Sequence, residues 1–168
     1  MSAVLLVEGA SDKVAVETLA RRRGRDLAAE GVEVMAIGGA QAVRRVLASL
    51  EGRRVAALCD VGEEALFRRA GLGASLHVCD PDLEGELIRA LGAKAVEEVL
   101  AANGDLSSFR TMQLQPVWRG RPVEDQLRRF LGSGARRKIR YAALLVEALD
   151  LERMPAPLDV ALAAVSGT

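Results

Sequence analysis

Four short apolar runs rich in Val, Leu and Ile, at residues 4–7, 32–37, 55–59 and 76–79, constrain this chain more than any other feature. Each is too short for a buried helix and is almost continuously apolar, which is the pattern of a strand covered on both faces. Helical periodicity fills the gaps between them. Val43, Val46, Leu47 and Leu50 repeat at i, i+3, i+4 and i+7, which puts one apolar stripe along a helix and turns Arg44, Arg45 and Glu51 outward. In the first gap Ser11 or Asp12 is the expected N-cap of a helix that runs to about Arg23 and stops at Gly24. Gly38 and Gly39 supply the turn after the second strand. Alternating strands and helices predict an α/β fold with a mainly parallel sheet of about four strands, flanked by helices.

Beyond Leu83 the strand signal fades. Apolar stripes follow one another at Leu83, Leu87, Ala90 and Leu91, at Val96, Val99 and Leu100, and at Val123, Leu127, Phe130 and Leu131. A further stripe, Ile139, Ala142, Val146 and Leu149, marks an amphipathic helix after Gly134, and Pro155 and Pro157 set off a last short helix over about residues 158–165. The C-terminal half is therefore expected to be mostly helical, with no clear reading between Gly104 and Pro122. With 168 residues, the chain is long enough for one good core. We read residues 1–168 as a single domain, a βα core over 1–92 with a helical extension over 93–168 packed on it.

Lys+Arg and Asp+Glu number 23 each, so no whole-molecule field draws the chain to polyanions, and any nucleic-acid contact must use a local basic face. Basic clusters at residues 21–25, 119–121 and 136–140 are the available ones, although such runs are usually solvated faces. Three Phe, one Tyr and one Trp do not make the aromatic platform of a dedicated single-strand binder; Trp118 can stack on a base, but packing is its simpler role. No stretch approaches a membrane span and no basic segment precedes the first apolar run, which points to a cytoplasmic protein without membrane association. Cys59 and Cys79 end apolar runs and read as buried strand residues rather than as a disulfide. His77 lies inside an apolar run and reads as structural.

Ligands of open parallel sheets sit outside the carboxyl ends of the strands. Here those ends are acidic: the first run leads into Glu8, the third into Asp60 and the fourth into Asp80, with Asp82 and Glu84 just beyond and Asp12 one turn past Glu8. Carboxylates gathered in this way repel one another, and a hard cation held through oxygen relieves the repulsion; for a phosphate substrate that means Mg²⁺ or Mn²⁺. Other roles stay open for some of them. Asp12 can serve as an N-cap, and Asp82 and Glu84 can simply favour a helix N-terminus. Glu8 and Asp60 directly follow buried strands and have no obvious capping role.

The string Leu6-Val7-Glu8-Gly9-Ala10-Ser11-Asp12 resembles the opening signature of Toprim domains, in the form found in OLD-family nucleases. Residues 34–40, with Gly38 and Gly39, are similar to the second strand and glycine turn of that family. Cys59-Asp60-Val61-Gly62 occupies the place of its Asp-x-Asp motif, with Gly62 where a second Asp is usual. Asp82-Leu83-Glu84 resembles the later acidic motif of the OLD branch, and Lys138, within Arg136-Arg137-Lys138-Ile139-Arg140, resembles its C-terminal lysine.

The resemblance implies a Toprim-like, Rossmann-like fold and a metal-dependent phosphodiester hydrolase. Glu8, Asp12, Asp60, Asp82 and Glu84 would be metal residues, Glu8 would also serve in catalysis, and Lys138 would sit at the transition-state phosphate. It further implies a nucleic-acid substrate, DNA in preference to RNA. Family members are often fused to an ATPase, whose Gly-x-x-x-x-Gly-Lys-Ser/Thr loop is not found in this sequence, so an ATPase would be a separate partner. Two alternatives belong to other classes. One is a weakly active binding or regulatory module, with Gly62 marking a damaged site. The other is a phospho-receiver domain with Asp60 as acceptor, although Glu8-Gly9 does not supply the paired acids that such domains carry after the first strand. No feature fixes an oligomeric state.

Overall fold

In a computed structural model that describes residues 2–166, the four apolar runs form strands β1 (Ala3–Val7), β2 (Val32–Ala36), β3 (Arg54–Asp60) and β4 (Leu76–Cys79). All pairings are parallel, in the order β2-β1-β3-β4. Val7 lies opposite both Ala36 and Leu58, and Asp60 opposite Cys79, so the carboxyl ends of the strands share one rim. Parallel neighbours need crossovers, which are supplied by α1 (Ala10–Arg22) between β1 and β2, α2 (Val43–Ala48) between β2 and β3, and α3 (Glu64–Arg69) between β3 and β4. The helical half contains α4 (Leu83–Leu91), α5 (Ala93–Ala102), α6 (Leu106–Gln113), α7 (Val123–Leu131), α8 (Ala135–Ala148) and α9 (Ala156–Ala164).

The strand period of two divides the core. Ala3, Leu5 and Val7 face a large cluster shared with α1 and the C-terminal helices, whereas Val4 and Leu6 face a smaller one under α2 and α3. Tyr141 of α8, Phe109 of α6 and Leu127 of α7 are fully buried in the large cluster. The helical extension and α1 are also tied through polar groups. Arg22 donates to the carbonyls of Val146 and Leu149, Arg23 pairs with Asp159 at 2.8 Å, Arg25 donates to the Leu162 carbonyl at 2.8 Å, and Arg21 pairs with Glu147. The basic run at 21–25 therefore clamps α1 to the C-terminal helices. His77, half-buried on β4, has a buried Nε2 without a hydrogen-bond partner, and burial lowers its pKa.

Three local expectations need correction. The N-cap of α1 is Gly9, and Asp12 sits at the third helical position, where its Oδ2 accepts from the Gly9 amide at 2.9 Å. Residues 104–122 hold a helix, α6, whose short stripe of Leu106, Phe109 and Met112 packs on the large core, with only Phe109 fully buried. It is also pinned by Asp105, which accepts from the Tyr141 hydroxyl at 2.6 Å and pairs with Arg140. Finally, α9 begins at Ala156, with Pro157 inside its first turn, where a missing N–H is harmless.

Candidate metal centre

The chain leaves β1 at Glu8 and turns at Gly9 into α1, which carries Asp12. Glu8 is held from both neighbours: its carbonyl accepts from the amides of Gly38 and Gly39 at 3.1 and 3.2 Å, and its Oε1 accepts from the Asp60 amide at 3.0 Å. Gly39 has φ +114°, a conformation that side-chain-bearing residues rarely adopt, which explains the glycine pair here. After β4 the chain passes through Asp80 and Pro81 to Asp82, the N-cap of α4, whose Oδ1 accepts from Gly85 N at 2.8 Å. Glu84, in the first turn of α4, is buried. From the far end of the sequence α8 brings Lys138, with Nζ 3.5 Å from Glu84 Oε1.

The electrostatics of these groups are shared. Burial, followed by the charges of Asp12, Glu8, Asp82 and Glu84, pushes the Asp60 carboxyl up to about 7. Burial likewise raises Glu8, Asp12 and Glu84, with neighbouring carboxylates adding to the effect in each case. Lys138 shows the converse. Its burial opposes the charged form, but Glu84, Asp12 and Asp60 outweigh it, and the pKa rises. Glu8, Asp12, Asp60, Asp82, Glu84 and Lys138 thus lie within electrostatic reach of one another at one rim, although residues 8 and 138 are far apart in sequence.

The donor set suits a hard cation, being all carboxylate oxygen on a desolvated rim. Glu84 Oε1 is buried without a hydrogen bond, since Lys138 at 3.5 Å gives charge contact but is too long for a good one. Among the described residues no three acidic, histidine or cysteine side chains already stand as a closed cage, so an ion would have to draw the carboxylates together. Asp82 is the least free of the set, because its Oδ2 also pairs with Arg128 of α7 at 2.7 Å. Two charged groups of this neighbourhood escaped the sequence reading. Arg128 lies on the polar face of an amphipathic helix and carries no local signal. Glu63 is one residue beyond Gly62, and its charge reaches Glu8; its closeness to Gly62 was the available clue.

A parallel sheet with acids gathered at its carboxyl rim and a lysine brought over them defines the class as an acid-rimmed α/β domain. Residues 1–61 match the family model for the TOPRIM domain of Overcoming lysogenization defect (OLD)-like proteins. The whole chain is similar in fold to the C-terminal region of the Burkholderia pseudomallei OLD protein, with TM-score 0.67 and 17% identity, over 97% of this chain and 96% of that one. It is likewise similar to the C-terminal region of the Xanthomonas campestris pv. campestris OLD protein, with TM-score 0.68 and 21% identity, over 97% and 91%. No curated protein sequence matches the chain significantly. Residues 1–61 are thus similar to the TOPRIM domain of OLD-like proteins, and the chain shares the fold of OLD C-terminal regions over nearly its whole length.

Proposed function

We propose that the protein is a divalent-metal-dependent nucleic-acid phosphodiester hydrolase of the Toprim/OLD type. The observation that carries this reading is the gathering of Glu8, Asp12, Asp60 and Glu84, with Lys138, at the carboxyl rim of the sheet. Those four carboxylates would hold Mg²⁺ or Mn²⁺. Asp82, the fifth expected ligand, stays at the border with its oxygens on Gly85 N and Arg128. Glu63 brings an acid close to where Gly62 lacks one. When bound, such an ion supplies positive charge against the phosphate and acidifies water. Glu8, whose pKa is raised, is placed to accept the proton of an attacking water. Lys138 keeps its proton in this acidic surrounding and sets a fixed cation beside the negative charge that grows on the phosphate.

The proposal includes DNA as the polymer, a separate ATPase as a working partner and a cytoplasmic location, which the two free, buried cysteines support. Among the described residues no helix is long and apolar enough to cross a membrane. Supercoiled plasmid incubated with Mn²⁺ or Mg²⁺ is expected to be nicked. Both EDTA and Glu8→Ala should reduce the rate about 10²-fold or more, and undiminished nicking by the variant rejects the assignment. Gly62 and the open cage favour a second reading, a binding module without turnover, for which calorimetry would show metal or DNA bound and the plasmid assay no product.

A further inference from the structure

From Glu84 and Lys138 an open groove of about 560 Å³ leads away from the rim, walled by Arg128 and Arg129 of α7 and by Trp118 and Arg121 of the turn before it. Trp118 and Arg129 also line the next groove, toward α6, so the two side chains form a ridge between them. Trp118 is half-buried, and the Arg121 guanidinium lies 5.4 Å from its ring centre. Leu114 and Val117, on the same turn, are 68% and 59% exposed.

This turn is built to keep its shape. Gln126, only 5% exposed, donates Nε2 to the Trp118 carbonyl at 2.8 Å and accepts from Gln113 at 2.7 Å. Arg119 donates to the Leu114 carbonyl and Arg121 Nε to that of Val117. This buried amide ties the backbone of the turn at Trp118 to Gln113 at the end of α6 and is costly to lose, so the turn is held before any ligand arrives. Arg121 uses only Nε in this way and keeps its other guanidinium donors, and Arg129 is exposed and makes no hydrogen bond or ion pair among the described residues. An aromatic ring on a fixed turn, flanking apolar side chains and uncommitted guanidinium groups fit one unpaired base and its adjoining phosphates. One ring serves one base, which agrees with the low aromatic content of the chain.

Resting on the hydrolase reading, we propose that this groove leads a single strand of nucleic acid to the acidic rim, with one unpaired base stacked on Trp118 and phosphates held by Arg121 and Arg129. The substrate class is then a strand that is free or frayed beside the cleaved bond, because a paired base in a duplex has both faces already stacked.

Trp118 is the only tryptophan, so intrinsic fluorescence reports on the turn alone. The full chain in Ca²⁺ is titrated with a single-stranded oligo-dT of about twelve nucleotides and with a blunt duplex of equal length. Quenching by the single strand and little by the duplex is expected. With a labelled oligonucleotide, anisotropy should show Trp118→Ala binding about tenfold more weakly, Trp118→Phe near wild type, and Arg129→Gln weaker with a shallower salt dependence. Equal quenching by the duplex, or unchanged binding by Trp118→Ala, overturns the proposal. So does the absence of quenching by either ligand, which would leave Leu114 and Val117 to a protein partner. A chain that nicks plasmid through Glu8 but shows no strand preference keeps the hydrolase reading and loses this one. Strand-specific quenching without any nicking does the reverse.

Discussion

At Asp60, burial and the nearby carboxylates raise the pKa to about 7, against an unfolded value near 4. The folded state therefore holds this proton more tightly than the unfolded state. The resulting stabilisation is complete below about pH 4 and is lost as the pH climbs through about 7. In EDTA, Asp60→Asn is expected to raise stability at pH 8 by about 1–2 kcal/mol, after discounting for partial solvent exposure, and to have little effect at pH 4; thermal melts at the two pH values check this. A variant no more stable than wild type at pH 8 would show that Asp60 is not strained there. Glu63→Gln is expected to weaken Mn²⁺ binding severalfold by calorimetry, because its charge reaches Glu8. Glu8 and Asp60 were legible in the sequence, since an acid directly after a buried strand has few structural reasons to be there. Arg128 was not, because its significance comes from Asp82, a residue 46 positions away that only the tertiary fold brings to it.

Among the elements, the first turn of α4 has the least room. A Cβ at Gly85 would come within 2.8 Å of Pro81 Cδ and 3.2 Å of Asp82 Oδ1, so a side chain at that place forces Pro81 or Asp82 to shift. Gly85→Ala is expected to cost about 1–3 kcal/mol and to weaken metal binding through displacement of Glu84. Denaturant melts alongside Mn²⁺ calorimetry test both parts, and an unperturbed variant would mean that the turn yields easily. All four strands could be read from the sequence because short, mostly apolar runs announce themselves without tertiary information, even in β2, where Glu33 is exposed. The cap of α1 lies two or three residues before the expected Ser11 or Asp12, because Asp12 caps the helix from inside it, reaching back to Gly9 N, which looks in sequence like a cap that starts the helix. Helix α6 is hard to read for a different reason: its stripe of Leu106, Phe109 and Met112 is only two turns long, and the contact of Asp105 with Tyr141 that helps hold it is tertiary.

Over the whole molecule, the large core runs without a break from β1 and α1 through α4 to α9. A fragment ending at residue 92 would expose the apolar side of α1 and half of the sheet, and would lose Lys138. Such a fragment is expected to lack a cooperative thermal transition by circular dichroism; a sharp melt like that of the full chain would mean that the βα portion is autonomous. The rim itself is lopsided. Acids arrive from β1, β3 and the turn after β4, whereas β2 ends in Gly38 and Gly39 and contributes no charge. Every cation of the groove lies beyond β4, on the side of α7 and α8. A long polyanion reaching the rim therefore meets the groove's cations on the side of β4 and an uncharged glycine turn at the end of β2, which gives the polymer a heading across the surface.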